Sequence, residues 1–169
     1  KSKRNISVQT ACNLLSLLDR RIKSVAVTVC PTAQQVSKIN ECGFDFIQMH
    51  GNVDKEVIEN SPVPVLKAFN VKDLDSLKKY SELRNICGYV FDAAKPGSGK
   101  TFDWDILKNI PRDDKLFVIA GGLDSKNAVN AIDILNPDIV DVSSGVENDE
   151  KPGKSRQKVE NFINTVKNY

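Results

Sequence analysis

Residues 116–144 read LFVIAGGLDSKNAVNAIDILNPDIVDVSS, and this stretch decides the fold. Residues 116–120 form a short, continuously apolar run that ends on Gly121-Gly122. A cap-like Asp124 or Ser125 follows, then Val129, Ile132 and Leu135 at helical spacing. Residues 139–143 return as a second extended run. Strands that are apolar throughout are covered on both faces, and a strand–helix–strand order calls for parallel pairing through a right-handed crossover.

Reading outward, the same unit recurs. Further apolar runs stand at residues 25–30, 44–49, 63–69 and 88–92. Helical patterns stand at 10–18, 33–41, 73–83 and 155–166, the last with Ser155 as its cap. Helix and strand alternate along residues 1–169, which read as one α/β domain. Compact repeats of this kind suit a (β/α)8 barrel, with a doubly wound sheet as the alternative. Six strands are legible where a closed barrel has eight, and the chain opens on a helix.

Composition removes several classes. With 24 Lys+Arg against 22 Asp+Glu, the net charge is only +2, which argues against nucleic acid or an anionic membrane as main partner. No apolar run reaches the ~20 residues of a membrane span. Cys12, Cys30, Cys42 and Cys87 form no C-x-x-C pair, and His50 is the only histidine, so no metal site is expected. The spacings read as four free thiols. With no secretory segment visible, they point to a reducing compartment and a cytoplasmic protein.

Candidate functional residues gather at strand ends. Residues 94–101, AKPGSGKT, nearly match a phosphate-cradling loop but lack its long following helix, since Pro111 ends a short one. A mobile glycine-rich lid is the plainer reading. Asp92 ends a strand, where a barrel keeps catalytic groups and where Asp also caps loops. Gly121 and Gly122 end the next strand, and Ser143, Ser144 and Gly145 the last. Two small-residue loops on the final strands fit the position at which barrels bind phosphate. Gln48, Lys67 and Asp141 interrupt apolar strands, with Gln48 on the side of His50 and Asp141 on the side of Ser143. They read either as a satisfied polar layer or as substrate contacts.

In order along the chain, Gln48-Met49-His50-Gly51, Lys67-Ala68, Phe91-Asp92, residues 97–104 (GSGKTFDW), Ala120-Gly121-Gly122-Leu123, residues 141–147 (DVSSGVE) and Pro152-Gly153-Lys154 occur together. This series resembles the phosphoribosylanthranilate isomerase family of tryptophan biosynthesis over the whole chain. The resemblance implies a TIM barrel that needs no cofactor or metal and takes the small molecule N-(5-phosphoribosyl)anthranilate. The reaction is an Amadori rearrangement to 1-(2-carboxyphenylamino)-1-deoxyribulose 5-phosphate. It implies Asp92 as the general acid, which needs a carboxyl held protonated near neutral pH. It implies Arg4 as ligand of the anthranilate carboxylate, and His50 and Asp141 as substrate contacts. Gly121, Gly122, Ser143, Ser144 and Gly145 become the phosphate site. The family's general base is a cysteine in an opening Lys-Ile-Cys-Gly-like strand that these residues do not contain. The expectation is that a first β-α-β segment carrying the base lies upstream of Lys1; Cys30 is the alternative base within residues 1–169. The rival is a non-catalytic phosphosugar-binding barrel fragment that lacks the base.

Overall fold

The computed structural model describes residues 4–92 and 103–169, so the lid expected at 94–101 lies outside the described residues. Six strands follow one another in the sheet in sequence order: β1 (Val25–Val29), β2 (Phe46–His50), β3 (Val65–Asn70), β4 (Ile86–Asp92), β5 (Leu116–Ile119) and β6 (Ile139–Val140). The pairs β1–β2, β2–β3, β4–β5 and β5–β6 are all parallel, as the unbroken apolar runs predict. Contacts gather the chain into two units. One holds residues up to 68 together with 78–87, and the other holds 69–77 and 88–169.

In the first unit, Val29 lies opposite His50, so β1 and β2 end level, and Met49 lies opposite Lys67 within β3. α1 (Val8–Leu15) and α2 (Ala33–Cys42) flank β1. A reciprocal cap starts α2: Thr32 N–H donates to the Gln35 side chain at 2.8 Å, and Gln35 N–H donates to the Thr32 hydroxyl at 3.3 Å. Gly43, at φ +85°, ends that helix in a left-handed turn. The helix that the alternation requires between β2 and β3 is α3 (Lys55–Glu59). The helix expected over 73–83 is shorter. It is a 3-10 turn at Leu74–Ser76 followed by α4 (Leu77–Tyr80). The Ser76 hydroxyl donates to the Asp73 carbonyl at 2.7 Å and competes for a helical acceptor.

The four-thiol expectation is corrected here. Cys12 on α1 and Cys42 at the end of α2 form a disulfide, with Cα atoms 5.1 Å apart, while Cys30 and Cys87 are free. Their 30-residue separation gives no motif, because the pair is made by helix packing rather than by spacing. The thiol argument for a reducing compartment therefore falls. Among the described residues, no helix is long and apolar enough to cross a membrane.

The second unit is built on aromatic packing. Phe69, Tyr89, Phe91 and Phe117 are all buried. Phe91 stacks on Phe69 with centroids 6.0 Å apart and lies 4.8 Å from Phe117. α5 (Ala128–Leu135) and α6 (Arg156–Lys167) cover this unit. α5 starts later than expected, because the Asp124 carboxylate accepts from Lys126 N–H at 2.8 Å and Asn127 N–H at 3.1 Å and holds those residues in a turn. Ser155 caps α6 as its sequence implies, accepting from Lys158 N–H at 3.4 Å.

Phe91 is completely buried among three rings, so Phe91→Ala will cost about 3–5 kcal/mol of stability, read from denaturant midpoints. A loss below about 1 kcal/mol would contradict this packing.

Candidate active site

Backbone register assembles the second unit's residues. Phe91 lies opposite Ile119 and Ile119 opposite Val140. One further bond continues each ladder: Ala120 N–H donates to the Phe91 carbonyl at 2.9 Å and Asp141 N–H to the Ile119 carbonyl at 2.8 Å. Asp92, Ala120 and Asp141 thus finish three neighbouring strands at one level. Both carboxylates are half-buried. Burial pushes the Asp141 carboxyl above the ordinary carboxylate range, and the charge of Asp92 adds to the push, while Lys154 opposes it. The shared level of the strand ends thus brings the charge of Asp92 to bear on Asp141.

The glycine turns sit beside this pair. Gly121 and Gly122 have φ of +88° and +70°, consecutive left-handed residues that side chains disfavour. The Asn127 amide donates to the Gly122 carbonyl at 3.0 Å, and its oxygen accepts from Asp124 N–H at 2.9 Å, which clamps the turn. Gly145 lies in a 3-10 turn at Ser144–Val146. A Cβ added to Gly145 would run into the Leu123 carbonyl and lie 2.9 Å from the Asp124 Cβ. The loops after β5 and β6 thus touch backbone to backbone. The Lys154 ammonium donates to the Ser143 carbonyl at 2.6 Å and reaches its hydroxyl at 3.2 Å and Glu147 at 3.4 Å. Asp92, Asp141, Gly121, Gly122, Ser143, Ser144 and Gly145 are therefore brought together in one unit. Asn127 and Lys154 join them without having been singled out by sequence reasoning. Lys154 stood within a quoted motif, but its hold on Ser143 depends on a chain reversal closed by the Glu147–Lys154 bridge.

Arg4 and His50 belong to the first unit. Arg4 is exposed in a turn ahead of α1. His50 ends β2, and its Nε2 lies 2.8 Å from the Gln48 amide nitrogen, on the shared strand face expected from alternation. An amide nitrogen only donates, so Nε2 accepts and the ring proton resides on Nδ1. Burial and the charge of Lys67 both push the His50 pKa down, which keeps the ring neutral. Cys30 is exposed at φ +44°, and its N–H donates to the His50 carbonyl at 2.9 Å. Among the described residues, no three His, Cys, Asp or Glu side chains gather closely enough to hold a metal ion.

Parallel α/β units that follow one another in sequence order, with carboxylates and glycine turns at their strand ends, are the architecture of the TIM-barrel class. The family model for N-(5'phosphoribosyl)anthranilate (PRA) isomerase matches residues 1–165, and the chain belongs to that family. A curated isomerase of that name from Thermoanaerobacter sp. is 39% identical over 177 residues, covering 99% of this chain and 83% of the relative. Its counterpart from Streptococcus mutans is 37% identical over 169 residues, with the same 99% and 83% coverage. The crystal structure of the Thermotoga maritima enzyme superposes with a TM-score of 0.85 at 30% identity, covering 100% of this chain and 84% of that one. A related isomerase structure, solved with reduced 1-(o-carboxyphenylamino)-1-deoxyribulose 5-phosphate, gives a TM-score of 0.80 at 27% identity and the same coverage.

The raised Asp141 pKa has a sign that can be checked. A carboxyl whose folded pKa exceeds its unfolded value costs stability wherever it is ionised. Asp141→Asn will therefore unfold at a higher denaturant concentration than the parent at pH 7. The difference will shrink as pH falls through the carboxylate range. A lower midpoint for the variant at pH 7 would contradict the burial and repulsion described.

Proposed function

We propose that Asp92 is the general acid of an isomerase of tryptophan biosynthesis that converts N-(5-phosphoribosyl)anthranilate to 1-(2-carboxyphenylamino)-1-deoxyribulose 5-phosphate. Asp92 gives a proton to the furanose ring oxygen as the C1–O bond breaks, which opens the sugar to a Schiff base. A base then takes the C2 proton, and the electron pair moves into an enolamine that tautomerises to the ketone.

The observation that supports the reading is the register that ends β4, β5 and β6 at one level, so that Asp92 and Asp141 stand on either side of Ala120. An acid that works near neutral pH needs burial or a neighbouring negative charge to hold its proton, and the Asp141 position offers Asp92 such a neighbour. Asp141 stays near the sugar and His50 presents a neutral N–H to the substrate. Backbone N–H groups of Gly121, Gly122, Ser144 and Gly145, with the Ser143 hydroxyl, take the phosphate. Arg4 takes the anthranilate carboxylate, which suits its fork of donors. A biosynthetic enzyme of this kind is read as cytoplasmic.

The test is turnover of N-(5-phosphoribosyl)anthranilate, followed by fluorescence, in the parent and in Asp92→Asn. The variant keeps the shape and loses the proton, so its turnover will fall at least about a hundredfold. Equal rates would overturn the assignment of the acid. A parent that binds the reduced product analogue without turnover would favour a non-catalytic phosphosugar-binding protein.

A further inference from the structure

Lys67 is a charge that the proposed chemistry does not use. It lies within β3 and is only 2% exposed. Removing an ammonium from water is expensive, and an apolar side chain of similar length would fill the same space more cheaply. The contacts it makes are specific. Its Nζ donates to the Gly51 carbonyl at 3.0 Å and to the Ala68 carbonyl at 2.7 Å, and lies 4.8 Å above the Tyr80 ring. Gly51 directly follows His50 and has φ +76°. A Cβ on Gly51 would lie 2.5 Å from Cys30 Sγ, so the turn is crowded as well as left-handed. Two residues on, the Tyr80 hydroxyl accepts from Val53 N–H at 3.1 Å and reaches the Asn52 side-chain oxygen at 3.0 Å. The chain leaving His50 is thus held by the Lys67 ammonium at Gly51 and by the Tyr80 hydroxyl at Val53.

We infer that Lys67 is a positioning residue, whose buried ammonium fixes the Gly51 turn and thereby orients the His50 ring toward the anthranilate sugar phosphate. The inference rests on the isomerase reading for the identity of that ligand. The geometry also explains why the charge is kept. A methyl group at the same place would leave the Gly51 carbonyl without its cationic donor and free the turn to rotate. Gln48 then remains as the hold on the ring from its own strand.

The experiment compares the parent, Lys67→Met, His50→Ala and the double variant. Affinity for the reduced product analogue is measured by calorimetry, and denaturant midpoints report folding. Lys67→Met will unfold cooperatively at a midpoint modestly below the parent's, because removal of a buried charge offsets part of the cost of two carbonyls left without a donor. It will bind the analogue about tenfold more weakly or worse, on the scale of one charge-assisted hydrogen bond. The double variant will bind no more weakly than the poorer single variant, because both changes remove one function.

His50 is the chain's only histidine, so its ring resonances are unambiguous. In Lys67→Met they will move, and the ring will titrate at higher pH with the neighbouring charge gone. Parent-like affinity together with unmoved imidazole resonances would overturn the inference, as would additive losses in the double variant. If Lys67→Met fails to fold, Lys67→Gln, which keeps one donor, serves instead, and it will bind better than His50→Ala. A parent that does not bind the analogue sinks the isomerase reading, while the imidazole spectra still decide the positioning role.

Discussion

Parallel hydrogen bonding from β4 through β5 to the residue after β6 is the constraint on which the second unit depends. The bonds from Ala120 to Phe91 and from Asp141 to Ile119 bring three strand ends to one level. A slip of one residue would turn every side chain to the opposite face. Asp141 would lose Asp92, and Phe91 would lose the rings that bury it. The aromatic cluster and the acidic pair are therefore consequences of one register, with apolar packing securing it from within and the carboxylates emerging where it ends.

Against that ordered frame each unit carries polar groups that oppose stability. Asp141 is half-buried beside a second acid, and Lys67 is buried among apolar strands. Gly121, Gly122 and Gly51 hold left-handed conformations, and Gly145 leaves no room for a side chain. A sequence optimised only for packing would remove these features. Except for Lys67, they stand at or just beyond strand ends, in keeping with the general association of strain and perturbed acidity with function. Local contacts steady the surrounding segments: Asn127 clamps the glycine turn, Lys154 ties Ser143, and Gln48 holds the imidazole.

Much of this was legible in the residues. Continuously apolar runs located all six strands, and alternation put Gln48 beside His50. The glycine pair and the Ser-Ser-Gly run marked the loops that meet at Gly145. What escaped is set by three-dimensional neighbours rather than by local pattern. The Cys12–Cys42 bond depends on which helices pack together. Lys154 reaches Ser143 only after the chain reverses, and Asn127 reads as an ordinary helix residue until its amide meets Gly122. The helix over 73–83 came out short because the apolar period does not register competition from the Ser76 hydroxyl. The roles proposed for Asp92 and Arg4 came from the ordered motifs of a family, whereas the loops proposed for phosphate were already marked by their place on the final strands. The spacing alone offered a loop cap as an equal reading of Asp92.

The most direct measurement is a crystal structure of this chain soaked with reduced 1-(o-carboxyphenylamino)-1-deoxyribulose 5-phosphate. The account predicts the phosphate on the backbone N–H groups of the Gly121–Gly122 and Ser143–Gly145 turns, with the Asp92 carboxyl within hydrogen-bond distance of the sugar. A phosphate held instead by residues 94–101, or a sugar out of reach of Asp92, would contradict it.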